Sequence, residues 1–414
     1  MNKKEFKGFA FVDGGVCAAQ GFQANGIHCG IKANGDPDKN DLAMIYAEIP
    51  CTAAAMYTTN KVQGAPIAVT RKHLENGTAQ AVIVNSVNAN TCNADGIEKA
   101  EKMCQFAAEA LNLKPEDIIV ASTGVIGQPL PIEPIEKGVP ELAKGLNHNG
   151  NTEAVHAIMT TDTQPKEVAV EFEIGGKTCR LGGMLKGSGM IHPNMATTLT
   201  FLTTDCAVSA GMLKQALKDV VTVTLNHVSV DGDTSTNDMV CVLANGKAGN
   251  QEIIKPDENF EIFKDALYAV LMNLSRMMAR DGEGATKLIE CVCTGAADEK
   301  TAEIVAKSVI TSSLFKAAVF GEDANWGRIL CAVGYAPAEF DIHQVDVSLS
   351  SPKGLIEVCK NGAGVEFSEE KAKEILSEEE ILVSVSIGTG AGSAVAWGCD
   401  LTYDYVRING DYRS

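Results

Sequence analysis

Apolar and polar residues along the chain follow two periods, and these periods predict the secondary structure. Short runs rich in β-branched residues predict strands. Longer segments repeat apolar residues every three or four positions, which is typical of helices with one buried face. The predicted strands are 42–49, 80–86, 117–121, 168–174, 198–204, 286–293, 344–350 and 381–387. The predicted helices are 96–111, 134–145, 210–226, 258–279 and 298–311.

The helix predicted over 258–279 has the clearest pattern, because its apolar residues recur every three or four positions and form one stripe. A stripe of this kind is expected where a helix lies against a sheet. Strands and helices that interleave in this way predict a layered α/β or α+β fold. The sequence contains no evident internal repeat or linker, and only the segment 146–166 is predicted to act as a hinge. The residues of the stripe are Phe260, Phe263, Leu267, Val270, Leu271 and Leu274.

Length and composition describe a large globular protein with an aliphatic interior. A chain of 414 residues is long for one hydrophobic core, so we expect two or three domains or two packed subdomains. Hydrophobic residues form 45% of the chain and aromatic residues only 5%, which predicts a core built mainly from aliphatic side chains, Ala and Gly.

The charge balance excludes some classes of partner. The chain has 35 Lys and Arg against 53 Asp and Glu, a net charge of −18, which argues against nucleic acid or an anionic membrane as partner. No apolar run is long enough to span a bilayer. The apolar stretch 9–12 is too short for the core of a signal peptide. We therefore expect a cytoplasmic protein.

The cysteines do not form a metal-binding or disulfide pattern. There are 13 of them, scattered along the chain, with no Cys-x-x-Cys pair. Cys291 and Cys293 lie in a strand-like run, where alternate residues share a face. We expect buried thiols, because free Cys packs as a small hydrophobic residue.

The segment 186–205 carries the strongest chemical signal. A Gly-rich loop passes through Ala196 into Thr197 and then into the predicted strand 198–204. A Thr freed at such a junction can act as an N-terminal nucleophile, because its own α-amine serves as the base for its hydroxyl. The small residues on the loop side would let the backbone bend for attack on the Ala196 carbonyl. These residues alone leave open that the Ala-Thr pair simply begins a strand.

The run 186–205 resembles the processing-site region of the ornithine acetyltransferase family, the glutamate N-acetyltransferases of arginine biosynthesis. Seven further blocks resemble this family and occur in the same order along nearly the whole chain, so the chain is identified as a member. The blocks are TTNK at 58–61, NSVNAN at 85–90, STGVIG at 122–127, MTTDT at 159–163, SVDGDTSTND at 229–238, GEDANWGR at 321–328 and AWGCDLTYDY at 396–405.

The resemblance implies a fold and a maturation step. The fold has helices packed outside two stacked β-sheets, as in the self-processing aminopeptidases that include DmpA, with a second, smaller α/β domain. Cleavage between Ala196 and Thr197 would give an α chain, 1–196, and a β chain, 197–414. The two chains would stay associated because the strand 198–204 should lie in the core. The family suggests an α2β2 heterotetramer.

The resemblance also implies the catalytic residues. Thr197 would be the nucleophile, and Thr123 and Gly124 would form the oxyanion hole with a hydroxyl and a backbone N–H. This pair follows the predicted strand 117–121, and a strand end would hold the two donors rigidly. Without the family context, a plain Ser-Thr-Gly turn remains the alternative.

Further residues match the family's substrate contacts. Lys186 suits a substrate carboxylate, and Glu283 suits the cationic amine of ornithine. Thr161 is an alternative to Thr160 as a contact. Ser414 stands where the family usually has Thr, and Val87 stands where Gly is common. The matched positions are Thr160, Lys186, Thr197, Glu283, Asn409 and Ser414.

Two other motifs resemble a metal site and a nucleotide site, but neither has the required pattern. The acidic run 231–238 resembles a calcium loop, but it has Thr236 at the Gly position and Val242 at the position of the closing Glu, so it is interpreted as a polar turn that supports the active-site strand. The Gly-rich segment 388–392 resembles a dinucleotide loop, but too few residues follow it for a Rossmann unit. His192 is interpreted as a loop residue, with a role in processing as the alternative.

The predicted reaction moves an acetyl group from N-acetylornithine to glutamate through acetyl-Thr197, which releases ornithine and N-acetylglutamate by ping-pong kinetics. No cofactor is predicted, and acetyl-CoA remains open as a second acetyl donor. One alternative is an aminopeptidase-like hydrolase of the same fold, which the matched Lys186, Glu283 and Asn409 disfavour. The other is an uncut binding or scaffold protein, which the intact Ala196-Thr197 junction disfavours.

Overall fold

The computed structural model describes residues 3–32, 36–192 and 198–411. The strands within them are β1 Ala10–Val12, β2 Phe22–Ile27, β3 Leu42–Tyr57, β4 Thr78–Asn85, β5 Ile118–Ser122, β6 Lys166–Ile174, β7 Lys177–Lys186, β8 Leu199–Thr204, β9 Val228–Ser229, β10 Met239–Ala244, β11 Leu288–Ala296, β12 Asp346–Ser351, β13 Gly354–Lys360, β14 Ala363–Gly364, β15 Glu380–Ser386 and β16 Gly392–Cys399. The helices are α1 Ala65–His73, α2 Gly96–Leu111, α3 Glu133–Lys144, α4 Asn151–Ile158, α5 Ala210–Val223, α6 Glu258–Arg280, α7 Glu299–Thr311, α8 Ser313–Phe320, α9 Trp326–Gly334, α10 Glu369–Leu376 and α11 Tyr403–Asp411.

The larger sheet has the strand order β1-β6-β7-β8-β10-β3-β4-β5, and β2 also pairs with β3. The long strand β3 joins its two halves, because its first part pairs with β2 and β4 and its last part with β10. Strands β8 and β10 run parallel, with Leu199 opposite Met239. Strands β4 and β5 are also parallel, so their carboxyl ends lie at one edge of the sheet.

The two halves of this sheet face each other across a shared core. Val82 of β4 and Cys241 of β10 belong to the same buried cluster. Their neighbours Ile83 and Val242 point the opposite way, into clusters completed by α2 and α3 on one side and by α5 and α6 on the other. Because side chains alternate along a strand, this places helices outside two stacked halves. The layered fold predicted above is confirmed.

The second domain is smaller and has its own core. Its sheet has the order β14-β13-β12-β15-β11-β16-β9, and the apolar residues of α7 to α10 pack with it. Helix α6 contacts strands of both sheets. Arg276 of α6 donates to the Glu290 carboxylate of β11 at 2.5 Å, and Trp397 of β16 donates to the same carboxylate at 2.9 Å. No helix within the described residues is long and apolar enough to cross a membrane.

Every predicted strand and helix corresponds to an observed one, and α2 has the predicted bounds. The hinge predicted over 146–166 is wrong, because this segment contains α4, whose Ala154 and Val155 are buried against β2 and β3. The prediction of buried thiols holds for most cysteines but is wrong for Cys92 and Cys331, which are exposed. The Gly-rich segment 388–392 leads into strand β16, not into a helix.

Candidate active site

The predicted oxyanion pair lies at the carboxyl end of strand β5, whose five residues are all buried. Thr123 is held by its backbone N–H, which donates to the Asn85 carbonyl at 2.9 Å. Gly124 has φ +124°, a conformation that residues with a Cβ rarely adopt. A Cβ at this position would come within 2.1 Å of the Val87 carbonyl oxygen. The close approach of the two loops therefore requires glycine here.

Asn237, which lies just before strand β10, connects this loop to that strand through hydrogen bonds. Its side-chain amide donates to the Ala89 carbonyl at 2.5 Å and to the Ser122 carbonyl at 2.9 Å. Its side-chain oxygen accepts from the Thr91 hydroxyl at 2.6 Å. Buried polar groups are costly when unpaired, so this amide fixes the backbone at Ser122, directly before Thr123, and at Ala89 in the neighbouring loop. Asn237 lies in the acidic run 231–238, and these contacts agree with the interpretation of that run as a supporting polar turn.

One cavity of about 390 Å³ brings the predicted residues together from positions far apart in the sequence. Thr160 and Thr161 both lie on its wall, so either can serve as the predicted Thr contact. The remaining wall includes residues that the sequence did not indicate, among them Met190 and Asn237. The predicted residues on the wall are Thr123, Gly124, Thr160, Lys186, Glu283 and Asn409.

Two opposite charges face this cavity. Lys186 ends strand β7, and burial lowers the pKa of its amine, while the nearby carboxylates of Asp162, Asp238 and Glu283 oppose the decrease. The Glu283 carboxylate accepts a hydrogen bond from the Asn409 side-chain amide at 2.7 Å. A Cβ on Gly189 would lie 2.3 Å from the Glu283 carboxyl carbon. The loop therefore needs glycine for this carboxylate to reach its position.

A buried ionic network, which the sequence analysis missed, supports the cavity wall. The Asp162 carboxylate accepts from the Lys166 amine at 2.7 Å, from the Gly187 backbone at 2.8 Å and from the Thr160 backbone at 3.0 Å. Lys166 also donates to Asp281 at 2.5 Å. Burial alone would raise the pKa of Asp162, but attraction to Lys166 and Lys186 outweighs it and holds the pKa well below its usual range.

Asp162 therefore links two predicted substrate contacts through backbone groups, Thr160 directly and Lys186 through its neighbour Gly187. The block MTTDT at 159–163 was the only signal that could have pointed to it. A carboxylate next to two Thr residues does not reveal from sequence that it also binds Lys166 at the start of β6 and the backbone of Gly187 directly after β7.

A second carboxylate in the region, that of Asp238, is buried and forms no ion pair within the described part of the chain. Asp238 precedes β10 and is 3% exposed, and burial raises its pKa well above the usual range. Among the residues that the structure describes, none forms a hydrogen bond with its Oδ2. It lines a small cavity of about 20 Å³ together with Thr123, Lys186 and Thr198. Thr198, the residue after the predicted nucleophile, therefore lies beside the predicted oxyanion hydroxyl.

The segment before the predicted cleavage point is held by the loop 229–234. The Asp231 carboxylate accepts from the backbone N–H of Met190 at 2.7 Å and of Ile191 at 2.9 Å. His192 pairs with the Ser229 hydroxyl at 3.0 Å, and burial lowers the pKa of its imidazole. These contacts agree with its interpretation as a loop residue. Ala196, Thr197 and Ser414 lie outside the described residues.

A larger cavity of about 730 Å³ adjoins the first one. The two share Gly124, Val125, Thr160 and Thr161 as lining residues. Lys39 lies on the wall of the larger cavity, and its amine donates to the Thr160 carbonyl at 2.6 Å. The loop at Gly124 and Val125 and the loop at Thr160 and Thr161 thus lie between the two cavities.

The model of the ArgJ family matches residues 23–414. This chain belongs to the ArgJ family. Two curated relatives are the arginine biosynthesis bifunctional protein ArgJ 1 of Clostridium acetobutylicum and ArgJ of Symbiobacterium thermophilum. The first is 50% identical over 95% of this chain and 96% of its own length. The second is 51% identical over 97% of this chain and 99% of its own length.

A crystal structure of the ArgJ protein of Bacillus halodurans is 45% identical to this chain. It covers 51% of this chain and 97% of its own, with a TM-score of 0.48. The resemblance to the family that the sequence motifs indicated is confirmed by the family match. The roles of individual residues remain predictions.

Proposed function

We propose that this protein is a glutamate N-acetyltransferase of arginine biosynthesis, which transfers acetyl from N-acetylornithine to glutamate. Membership of the ArgJ family supports the reaction, since its curated relatives are named as bifunctional proteins of arginine biosynthesis. The observation that carries the proposal is the cavity in which Lys186 and Glu283 lie on the same wall as Thr123 and Gly124. One cation and one anion suit substrates that carry both a carboxylate and an amine.

The mechanism begins with maturation of the precursor. The Thr197 hydroxyl adds to the Ala196 carbonyl and the C–N bond breaks, which leaves an ester and a free Thr197 α-amine. Water hydrolyses the ester, so the α chain ends in the Ala196 carboxylate and the β chain begins with Thr197. The position of Thr198 beside Thr123 supports the choice of Thr197 as nucleophile, because Thr197 is the preceding residue.

In the mature enzyme, Thr197 attacks the acetyl group of N-acetylornithine while its α-amine takes the hydroxyl proton. Thr123 and the Gly124 N–H stabilise the oxyanion that forms; one such donor is worth about 2.7–4 kcal/mol in acyl transfer. Ornithine leaves with the proton, and glutamate then takes the acetyl group from Thr197. Glu283 would hold the side-chain ammonium of N-acetylornithine, and Lys186 the carboxylate common to both substrates.

We further propose that the two chains, 1–196 and 197–414, remain together as an α2β2 heterotetramer in the cytoplasm and need no cofactor. Strand β8 supports the association, because it begins two residues after the cut and is buried between β7 and β10. Ser414 is proposed as a further substrate contact. Acetyl-CoA is proposed only as a second acetyl donor to the same Thr197.

The test combines intact mass spectrometry with an acceptor assay on the purified protein and on Thr197→Ala. We expect two fragments in the wild type, one beginning at Thr197, and a single uncut chain in the variant. Ornithine release from N-acetylornithine should depend on glutamate. Release that does not depend on glutamate would identify a hydrolase, and an uncut wild-type chain would contradict the role of Thr197.

A further inference from the structure

Met190 has an unusual backbone for a residue with a side chain. Its φ is +57°, in the left-handed region that disfavours residues with a Cβ. The residue is 42% exposed, so burial of its side chain does not explain the conformation. Such conformations persist where the surrounding structure imposes them. The cause must therefore lie in the backbone contacts of this residue.

Asp231 supplies those contacts. One carboxylate oxygen accepts from the Met190 N–H at 2.7 Å and the other from the Ile191 N–H at 2.9 Å. Two successive N–H groups directed at one carboxylate define the turn at Met190. Hydrogen bonds to an ionised acceptor are stronger than those between neutral groups, so a charged side chain can offset the unfavourable backbone.

The same loop holds the next two residues as well. The Val230 N–H donates to the Ile191 carbonyl at 2.8 Å, and the Thr234 hydroxyl donates to the His192 carbonyl at 2.8 Å. Residues 190–192 are thus fixed by residues 229–234, four positions before the proposed cut at Ala196. By the proposed processing, the two segments would belong to different chains.

We infer that Asp231 is a positioning residue for self-cleavage, because its carboxylate fixes the left-handed backbone of Met190 and so sets the direction in which the chain approaches the Ala196–Thr197 bond. The inference rests on the proposed function, since it assigns a role in the maturation step. Asp231 acts through the backbone of Met190 and takes no part in bond formation. Its effect should therefore disappear when Met190 no longer needs to be held.

The test measures the rate of self-cleavage of freshly synthesised precursor by gel and intact mass. Asp231→Asn keeps the volume but can accept only one of the two N–H groups, so we expect cleavage about tenfold slower, a loss that corresponds to one weakened charged hydrogen bond. The matched control is Asp233→Asn, which removes a neighbouring exposed carboxylate and should cleave at the wild-type rate.

The decisive variant adds Met190→Gly to Asp231→Asn. Glycine adopts positive φ without the penalty, so the double variant should regain at least half of the wild-type rate. Equal rates for Asp231→Asn and Asp233→Asn would overturn the inference, and so would failure of Met190→Gly to restore cleavage. A wild-type chain that never cleaves would instead refute the proposed function, so the two failures are distinguishable.

Discussion

Asp162→Asn should destabilise the protein strongly although it changes no volume. The variant removes the charge that Lys166 and Lys186 face, and Asn cannot accept hydrogen bonds from Lys166, Gly187 and Thr160 as the carboxylate does. Removal of one partner of a buried ion pair typically costs about 3–5 kcal/mol. Lys166 keeps Asp281 as its other partner, so we expect the lower end, about 3 kcal/mol.

The assay is urea unfolding followed by circular dichroism. Both variants are made in the Thr197→Ala background so that the chain stays in one piece. Asp265→Asn is the control, because it removes an exposed carboxylate and keeps the volume. We expect the urea midpoint of Asp162→Asn to fall well below that of its parent, with the midpoint of Asp265→Asn unchanged.

The difference in urea midpoint between Asp162→Asn and its parent should become smaller at low pH. The pKa of Asp162 is lowered in the folded state, whereas the unfolded chain binds the proton near its ordinary value of about 3.9. The carboxylate therefore stabilises the fold fully above about pH 5, and this contribution is lost as the pH falls below about 4 toward the folded-state pKa. The gap between parent and Asp162→Asn should narrow over that range. An equal gap at both ends of the range, or a midpoint equal to that of Asp265→Asn, would refute the reasoning.

Two further predictions concern the cavity itself. Gly124→Ala should slow single-turnover acetyl transfer by about 100-fold or more, because its Cβ would lie 2.1 Å from the Val87 carbonyl oxygen. Gly127→Ala is the control and should stay active, because Gly127 also has a positive φ, +77°, but open space around a Cβ. Equal rates for the two variants would contradict the role of the loop. Glu283→Gln should raise KM for N-acetylornithine about tenfold and change KM for glutamate much less, because only the first substrate has a side-chain ammonium. Steady-state kinetics with both substrates varied would detect an equal rise in both values, which would mean that Glu283 does not bind the amine.

The sequence determined the local elements and the main chemical signal. The apolar stripe of α6 and the β-branched run of β5 are local patterns, so each predicted its element without knowledge of the rest of the chain. The motif blocks indicated the family, and the match over 23–414 confirms it. Strand β7 was missed because its Gly pair and charged residues lack a strand pattern, and pairing with β6 and β8 on both sides imposes the extended form.

Only the tertiary structure decided which of these signals share a site. Thr123 and Asn409 are 286 positions apart (409 − 123) and yet lie on one cavity wall. Gly187 binds Asp162 from 25 positions away, and Met190 binds Asp231 from 41 positions away, so these partners cannot be identified from the sequence around each carboxylate. The spacing of apolar residues predicts which face of a segment is buried. Hydrogen-bond partners and pKa values depend on which other segments pack against that face. For that reason the sequence predicted the reaction and its main residues, whereas the groups that hold those residues in place became visible only in the fold.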